Sequence, residues 1–214
     1  MITRVRRSIL TRIFQVMYGL GEWIYDPLTA VFFGPAWHNW RRTVIPFVGN
    51  GPVLEIACGT GQLLPELNSR SSLVVGIDYS DSMLRPARRR VIRSGVEAEI
   101  VQADARRIPF VDGTFETVVS TFPASFLANE STLDEIARVL RPGGRLVVVV
   151  SARFTNFQWR RPLIHPILRL AYGSTSSMNR WPDDMLSHPE LPGEWQDLRS
   201  PEGEAFVWIA RKSE

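Results

Sequence analysis

Short apolar runs that end in an acid or a glycine turn recur along this chain, with amphipathic stretches between them. The run Val53 to Ile56 breaks into Ala57-Cys58-Gly59-Thr60-Gly61, and apolar residues then resume at helical spacing to about Asn68. That pattern predicts a buried strand, a tight loop and a helix start. Leu73 to Asp78 reads as a second buried strand. Ser80 is placed to cap a helix over 81–94, which Pro86 should kink because it lacks an N–H. Ala98 to Gln102 and Phe115 to Thr121 read as the third and fourth strands. Ser131 with Asp134 forms the pattern of a capping box for a helix through Leu140. Arg141-Pro142-Gly143-Gly144 should stop it, and Arg145 to Ser151 is the fifth and most apolar strand. Trp195 to Ser200 and Ala205 to Arg211, joined by Pro201-Glu202-Gly203, read as an antiparallel hairpin on the sheet edge. Strands alternating with helices predict an α/β fold: an open, mostly parallel sheet.

The flanks differ from this core. Ile2, Val5, Ile9, Ile13, Phe14, Met17 and Leu20 recur at helical spacing, with Arg4, Arg7 and Arg12 largely elsewhere on the wheel. This basic amphipathic helix is either a membrane-surface or lid helix, or one packed on the domain with a solvated arginine face. Aromatics crowd Gly21 to Pro35, and Ala36 to Val48 reads as a helix with Trp37, Trp40, Val44, Ile45 and Phe47 on its apolar side. Ala152 to Pro192 breaks the strand–helix rhythm; it holds Trp159, Trp181 and five prolines, and only Pro162 to Tyr172 looks helical.

Composition narrows the picture modestly. A length of 214 residues fits one sizeable domain. A net charge of +3 is too mild to argue for nucleic acid. Arg85, Arg89 and Arg93, with Arg88 and Arg90 beside them, suit a solvated helix face better than a phosphate or RNA site. Cys58 is the single cysteine, so no internal disulfide forms, which is compatible with a cytoplasmic location. No run approaches the roughly 20 apolar residues of a membrane span. Arg12 and Gln15 interrupt the N-terminal apolar stretch, so no cleaved signal is expected.

The glycine loop carries the chemistry. Gly59 and Gly61 let the backbone approach a ligand closely. Gln62 stands where a P-loop needs lysine, and the third glycine of a dinucleotide fingerprint is missing near Leu64. Glu55 lies within the end of the first strand, where an acid would repel a diphosphate but attract a cationic ligand. Asp78 ends the second strand, where a carboxylate can accept both ribose hydroxyls, and Asp104 follows the third, within range of an adenine amino group. Ile56, Tyr79, Met83 and Ala105 offer apolar surface around a base. Acceptors for an amine, a ribose and an adenine suit S-adenosyl-L-methionine better than NAD.

At this point the chain resembles the class I S-adenosylmethionine-dependent methyltransferases. Val53 to Gly61 looks like their first motif, and Val75 to Ser80 with Met83-Leu84 like the segment after it. Asp104-Ala105 with Ile108-Pro109-Phe110, and Leu133 to Leu146, are similar to their third-strand motif and the turn before strand five. Ala57 stands where the commonest motif has glycine. The resemblance implies a Rossmann-like sheet with helices on both faces and a cofactor site of Glu55, Ala57, Gly59, Gly61, Asp78, Tyr79, Met83, Asp104, Ala105 and Thr121. It also implies one domain: an N-terminal helical lid (1–50), a cofactor-binding core (51–151), a substrate-side insertion (152–192) and a terminal hairpin (193–214).

Tyr25-Asp26, Phe33-Gly34, His38 and Trp40-Arg41-Arg42 resemble the N-terminal segment of quinone-biosynthesis C-methyltransferases and bacterial phosphatidylethanolamine N-methyltransferases. This adds Tyr25, His38 and Phe122 on the substrate side and implies a small hydrophobic or lipid-like acceptor, a quinone precursor or phospholipid amine. Peripheral membrane contact through the N-terminal basic helix would suit such an acceptor. Thr121-Phe122-Pro123-Ala124 lacks the Asn-Pro-Pro-Tyr pattern of base-flipping DNA methylases, so no nucleic-acid partner is expected. No general base and no metal site stand out. Two other classes use the same sheet: a nicotinamide-dependent oxidoreductase and a non-catalytic cofactor-binding partner protein.

Overall fold

The computed structural model describes residues 34–154, 182 and 185–214. The expected helices over 2–20 and 162–172, and Tyr25, lie outside the described residues. A seven-stranded sheet organises the rest, with β1 (Val53–Ile56), β2 (Val74–Asp78), β3 (Ala98–Gln102), β4 (Phe115–Thr121), β5 (Leu140–Phe154), β6 (Gly193–Ser200) and β7 (Gly203–Arg211). The order is β3-β2-β1-β4-β5-β7-β6. The first five strands run parallel, and β7 pairs antiparallel with both β5 and β6. After β3 the chain crosses to the far side of β1, so the order reverses between β1 and β4. In open α/β sheets ligands bind beyond the strand ends at such a switch point.

Helices α1 (Pro35–Arg42), α2 (Leu64–Asn68), α3 (Asp81–Ser94) and α4 (Glu130–Val139) accompany the sheet. Side-chain alternation along the strands divides the core between the two faces. Leu54, Ile56, Val118 and Val148 pack with Ile136 and Ala137 of α4. Val53, Val119 and Val147 pack on the other face with Trp40 of α1, Leu67 of α2 and Leu84 of α3. All four residues of β1 are buried, which explains its unbroken apolar character except for Glu55.

Local chemistry moves several expected boundaries. The helix expected over 36–48 ends at Arg42, and a 3-10 turn spans Ile45–Phe47. Pro46 disfavours helical geometry in the residue before it. Helix α4 begins two residues earlier than the capping-box pattern implies. Asn129 caps it, its Oδ1 accepting from the Ser131 amide at 3.3 Å, while Asp134 meets His188 Nε2 at 3.0 Å. Ser80 occupies the cap position of α3, but its hydroxyl pairs with that of Ser82 at 2.7 Å. Helix α3 runs continuously through Pro86. The fifth strand starts at Leu140, which pairs with Phe115 before a register shift that loops out residues 141–144. In the terminal hairpin Trp195 lies opposite Trp208 with their rings edge-on at 5.3 Å, a stabilising cross-strand pair. Among the described residues no helix is long and apolar enough to cross a membrane.

Candidate functional site

The end of β1 turns sharply into the glycine loop. Ala57 has φ of 57° and Gly59 of 55°, both in the left-handed region. A side chain there costs about 1–2 kcal/mol, which glycine avoids and Ala57 bears. Phe122, just past β4, is also left-handed at φ 52°. Such strained residues concentrate where a fold shapes a site. The Gly61 amide donates to Cys58 O at 2.9 Å to close the turn. A Cβ on Gly61 would stand 2.9 Å from Ala87 Cβ, so the missing side chain lets the loop rest on α3.

Asp78 ties this loop to β2. Its Oδ2 accepts from the Gly59 amide at 2.9 Å and its Oδ1 from the Ser80 amide at 2.9 Å. Burial pushes the Asp78 carboxyl above the usual range, against the lowering effect of the Ser80, Gly59 and Tyr79 amides. Each oxygen keeps further acceptor capacity.

Beyond the strand ends lies an open cleft of about 690 Å³, within the usual range for small-molecule sites. Ile56, Ala57, Ile77 to Ser80, Ala103 to Arg106, Ala124, Phe126 and Asn129 line it. It continues into a narrow cavity of about 50 Å³ between α1 and the glycine loop, sharing Ala57, Asp78, Ala124 and Phe126. Trp37, Arg41, Gly59, Met83, Thr121 and Phe122 are among the walls of this narrower part. Trp37 stacks on Phe122 with ring centres 4.1 Å apart.

Glu55 lies behind these walls, 2% exposed. By alternation along β1 it points to the same face as Val53, towards α1. Its carboxyl is pushed up to about 8, chiefly by burial; Arg41 acts to lower it and Asp78 to raise it. Its Oε2 is buried without a hydrogen-bond partner. A buried acceptor left unmet is costly, and burial accordingly favours the neutral acid here.

The structure therefore gathers Ala57, Gly59, Asp78, Tyr79, Met83, Asp104, Ala105, Thr121 and Phe122 around one groove. Glu55 lies behind it. Gly61 serves the packing of the loop and is not a lining residue. Tyr79 stands on the rim, 75% exposed. The Asp104 carboxylate is held below the usual range by Arg106, whose Nη2 donates to Oδ2 at 2.6 Å. His38 faces elsewhere, its Nε2 3.1 Å from Glu66 Oε1. Trp37, Arg41, Phe126 and Arg106 were not singled out as site residues by the sequence. For the first two a signal existed: their i, i+4 spacing puts them on one helix face.

The family model described as "Methyltransferase domain" matches residues 53–144. Over these residues the chain is similar to that family. The fold is shared with a SAM-dependent methyltransferase from Aquifex aeolicus, which superposes with a TM-score of 0.56 at 18% identity, over 80% of this chain and 89% of that one. A demethylmenaquinone methyltransferase of Thermus thermophilus is 39% identical over 131 residues, 58% of this chain and 60% of the relative. A phosphatidylethanolamine N-methyltransferase of Cereibacter sphaeroides is 43% identical over 122 residues, 55% of this chain and 60% of the relative. The matched parts thus span about 60% of the length of each of these two relatives.

The groove fits S-adenosylmethionine. The wide, largely apolar cleft suits a nucleoside, and Asp78 stands at the β2 end where a ribose can be met. The narrow part, walled by Trp37, Arg41, Gly59 and Met83, suits an amino-acid end.

Proposed function

We propose that this protein transfers the methyl group of S-adenosylmethionine to a small hydrophobic or lipid-like acceptor, such as a quinone precursor or a phospholipid amine. The observation that carries the acceptor class is the aromatic wall where the groove narrows: Trp37 stacked on Phe122, with Phe126 beside them. The names of the two curated relatives agree with it, one for a quinone precursor and one for a phospholipid.

When bound, the cofactor supplies an electrophilic methyl group. The protein's own part is mainly to hold the two reactants in line, because a positioned pair gains the advantage of an intramolecular reaction. Asp78 and Asp104 address the nucleoside. Met83, Trp37 and Phe122 exclude water from the narrow end. Thr121 and Phe122, at the end of β4, form the floor on which an acceptor would rest.

The test is incubation of the full-length protein with methyl-labelled S-adenosylmethionine and, separately, a quinol extract, phospholipid vesicles and a water-soluble metabolite extract. Label in an organic-soluble product is expected. Label confined to water-soluble products overturns the lipid-like acceptor, and no transfer from any extract overturns the enzymatic reading.

A further inference from the structure

Asp104 lines the wide cleft with its acceptors already filled. Its Oδ1 accepts from the Arg106 amide at 2.9 Å and from Arg106 Nε at 3.0 Å. Its Oδ2 accepts from the same Nε at 3.1 Å and from Nη2 at 2.6 Å. A carboxylate offers about four acceptor sites, and here a single residue takes them up. Arg106 also holds this carboxyl below the usual range, so Asp104 is an acceptor and not a donor. An adenine 6-amino group needs one of those sites, and the arginine side chain stands in its way.

The contact is able to open. The Arg106 side chain is 57% exposed, and among the described residues its guanidinium bonds only to Asp104. Turning it into water breaks one exposed ion pair and leaves the Arg106 amide still bonded to Oδ1. Exposed pairs of this kind are weak enough for a ligand to displace. Arg106 lines the cleft itself, beside Ala103 to Ala105. While the pair is closed, this edge therefore offers guanidinium donors and no unfilled carboxylate acceptor. A purine with an oxygen at position 6 can accept from such a donor; one with an amino group there must displace it.

We propose that Arg106 sets the affinity and the base preference at the nucleoside end of the groove, by holding Asp104 until the 6-amino group of adenine displaces it. The proposal rests on the methyltransferase reading and on Asp104 as the acid that meets the base. Cofactor and demethylated product share that base, so the pair weakens both alike and speeds product exchange.

Two ligands test it by calorimetry on the full-length protein. S-adenosylhomocysteine carries adenine; S-inosylhomocysteine is the same molecule with the 6-amino group replaced by oxygen. Arg106→Met should tighten S-adenosylhomocysteine by about two- to fivefold and weaken S-inosylhomocysteine by a similar factor. Arg107→Met removes the same charge from the same loop without touching the Asp104 carboxylate, and should change the ratio of the two affinities by less than about twofold. A shift of both ligands in one direction would make Arg106 a structural residue and overturn the proposal. Unchanged affinities in Arg106→Met would overturn it too, as would an equal change of ratio in Arg107→Met. Wild-type protein that binds neither ligand would remove the methyltransferase reading itself.

Discussion

Glu55 sits where water does not reach it, and its neighbours disagree about its charge. Burial and Asp78 favour the neutral acid, Arg41 favours the carboxylate, and the balance leaves the group at about 8. Folding of the free chain therefore favours protonated Glu55. Its contribution to stability is full below the ordinary carboxylate range and is lost as pH rises through about 8. An ammonium ligand acts in the opposite sense, because it favours the carboxylate. Binding of S-adenosylhomocysteine should release a proton at pH values below about 8 and tighten as pH rises towards it, by roughly tenfold per pH unit at most. Calorimetry in buffers of different ionisation enthalpy reads both effects, and Glu55→Gln should abolish them. Buffer-independent enthalpies in the wild type would show that Glu55 does not change charge. The acids of the site were legible in the sequence because each interrupts or ends an apolar run: Glu55, Asp78 and Asp104. Arg41 was not, because it stands in a basic doublet with Arg42. Tertiary packing separates the two, burying Arg41 while Arg42 Nε meets Glu66 Oε2 at 2.7 Å on the outer side.

Between elements, a clamp holds the loop that carries Asp104 and Ala105. Arg138 of α4 donates from Nη1 to Phe110 O at 2.7 Å and to Asp112 Oδ1 at 2.8 Å, and from Nη2 to Ile108 O at 2.9 Å. Glu135, one turn earlier, holds Arg138 Nε at 2.7 Å and accepts the Ile108 amide at 2.7 Å. Together they satisfy the Ile108 amide and the Phe110 carbonyl, and add a second donor to the Ile108 carbonyl, which also accepts from the Phe110 amide at 2.9 Å. Arg138→Met should cost about 2 kcal/mol in urea unfolding and speed amide exchange selectively over residues 106–113. Unchanged exchange there would show that the loop stands without the clamp. The strands themselves were readable because each is a short apolar run closed by a turn. The clamp and the caps were not, because they depend on which side chain reaches which backbone group across 27 or more residues, or on a two-residue shift of a helix start. The outward bulge before Arg145 likewise needs the pairing of Leu140 with Phe115, which no local pattern encodes.

On the scale of the whole molecule, α1 joins the glycine loop, the sheet and the terminal hairpin into one body. Arg41 reaches Gln62, His38 and Arg42 meet Glu66, and Asn39 Nδ2 donates to Glu202 Oε1 at 2.8 Å. Between these polar contacts Trp40 is 1% exposed, its ring 4.6 Å from that of Phe154 and 6.5 Å from that of Phe122. The sequence offered the N-terminal region as a lid, and a lid would part from the domain at little cost. The packing of α1 makes a different demand, since Ala36, Trp40 and Val44 complete the core on that face. Truncating a fully buried tryptophan removes about 3–5 kcal/mol, against a total of roughly 5–15 kcal/mol for an ordinary domain. Trp40→Ala should therefore lower the urea midpoint sharply, with fluorescence and circular dichroism reporting one coincident transition. A chain begun at residue 49 should fail to unfold cooperatively. If α1 is instead an independent lid, Trp40→Ala leaves the midpoint where it is, and the shortened chain unfolds at the urea concentration of the full one.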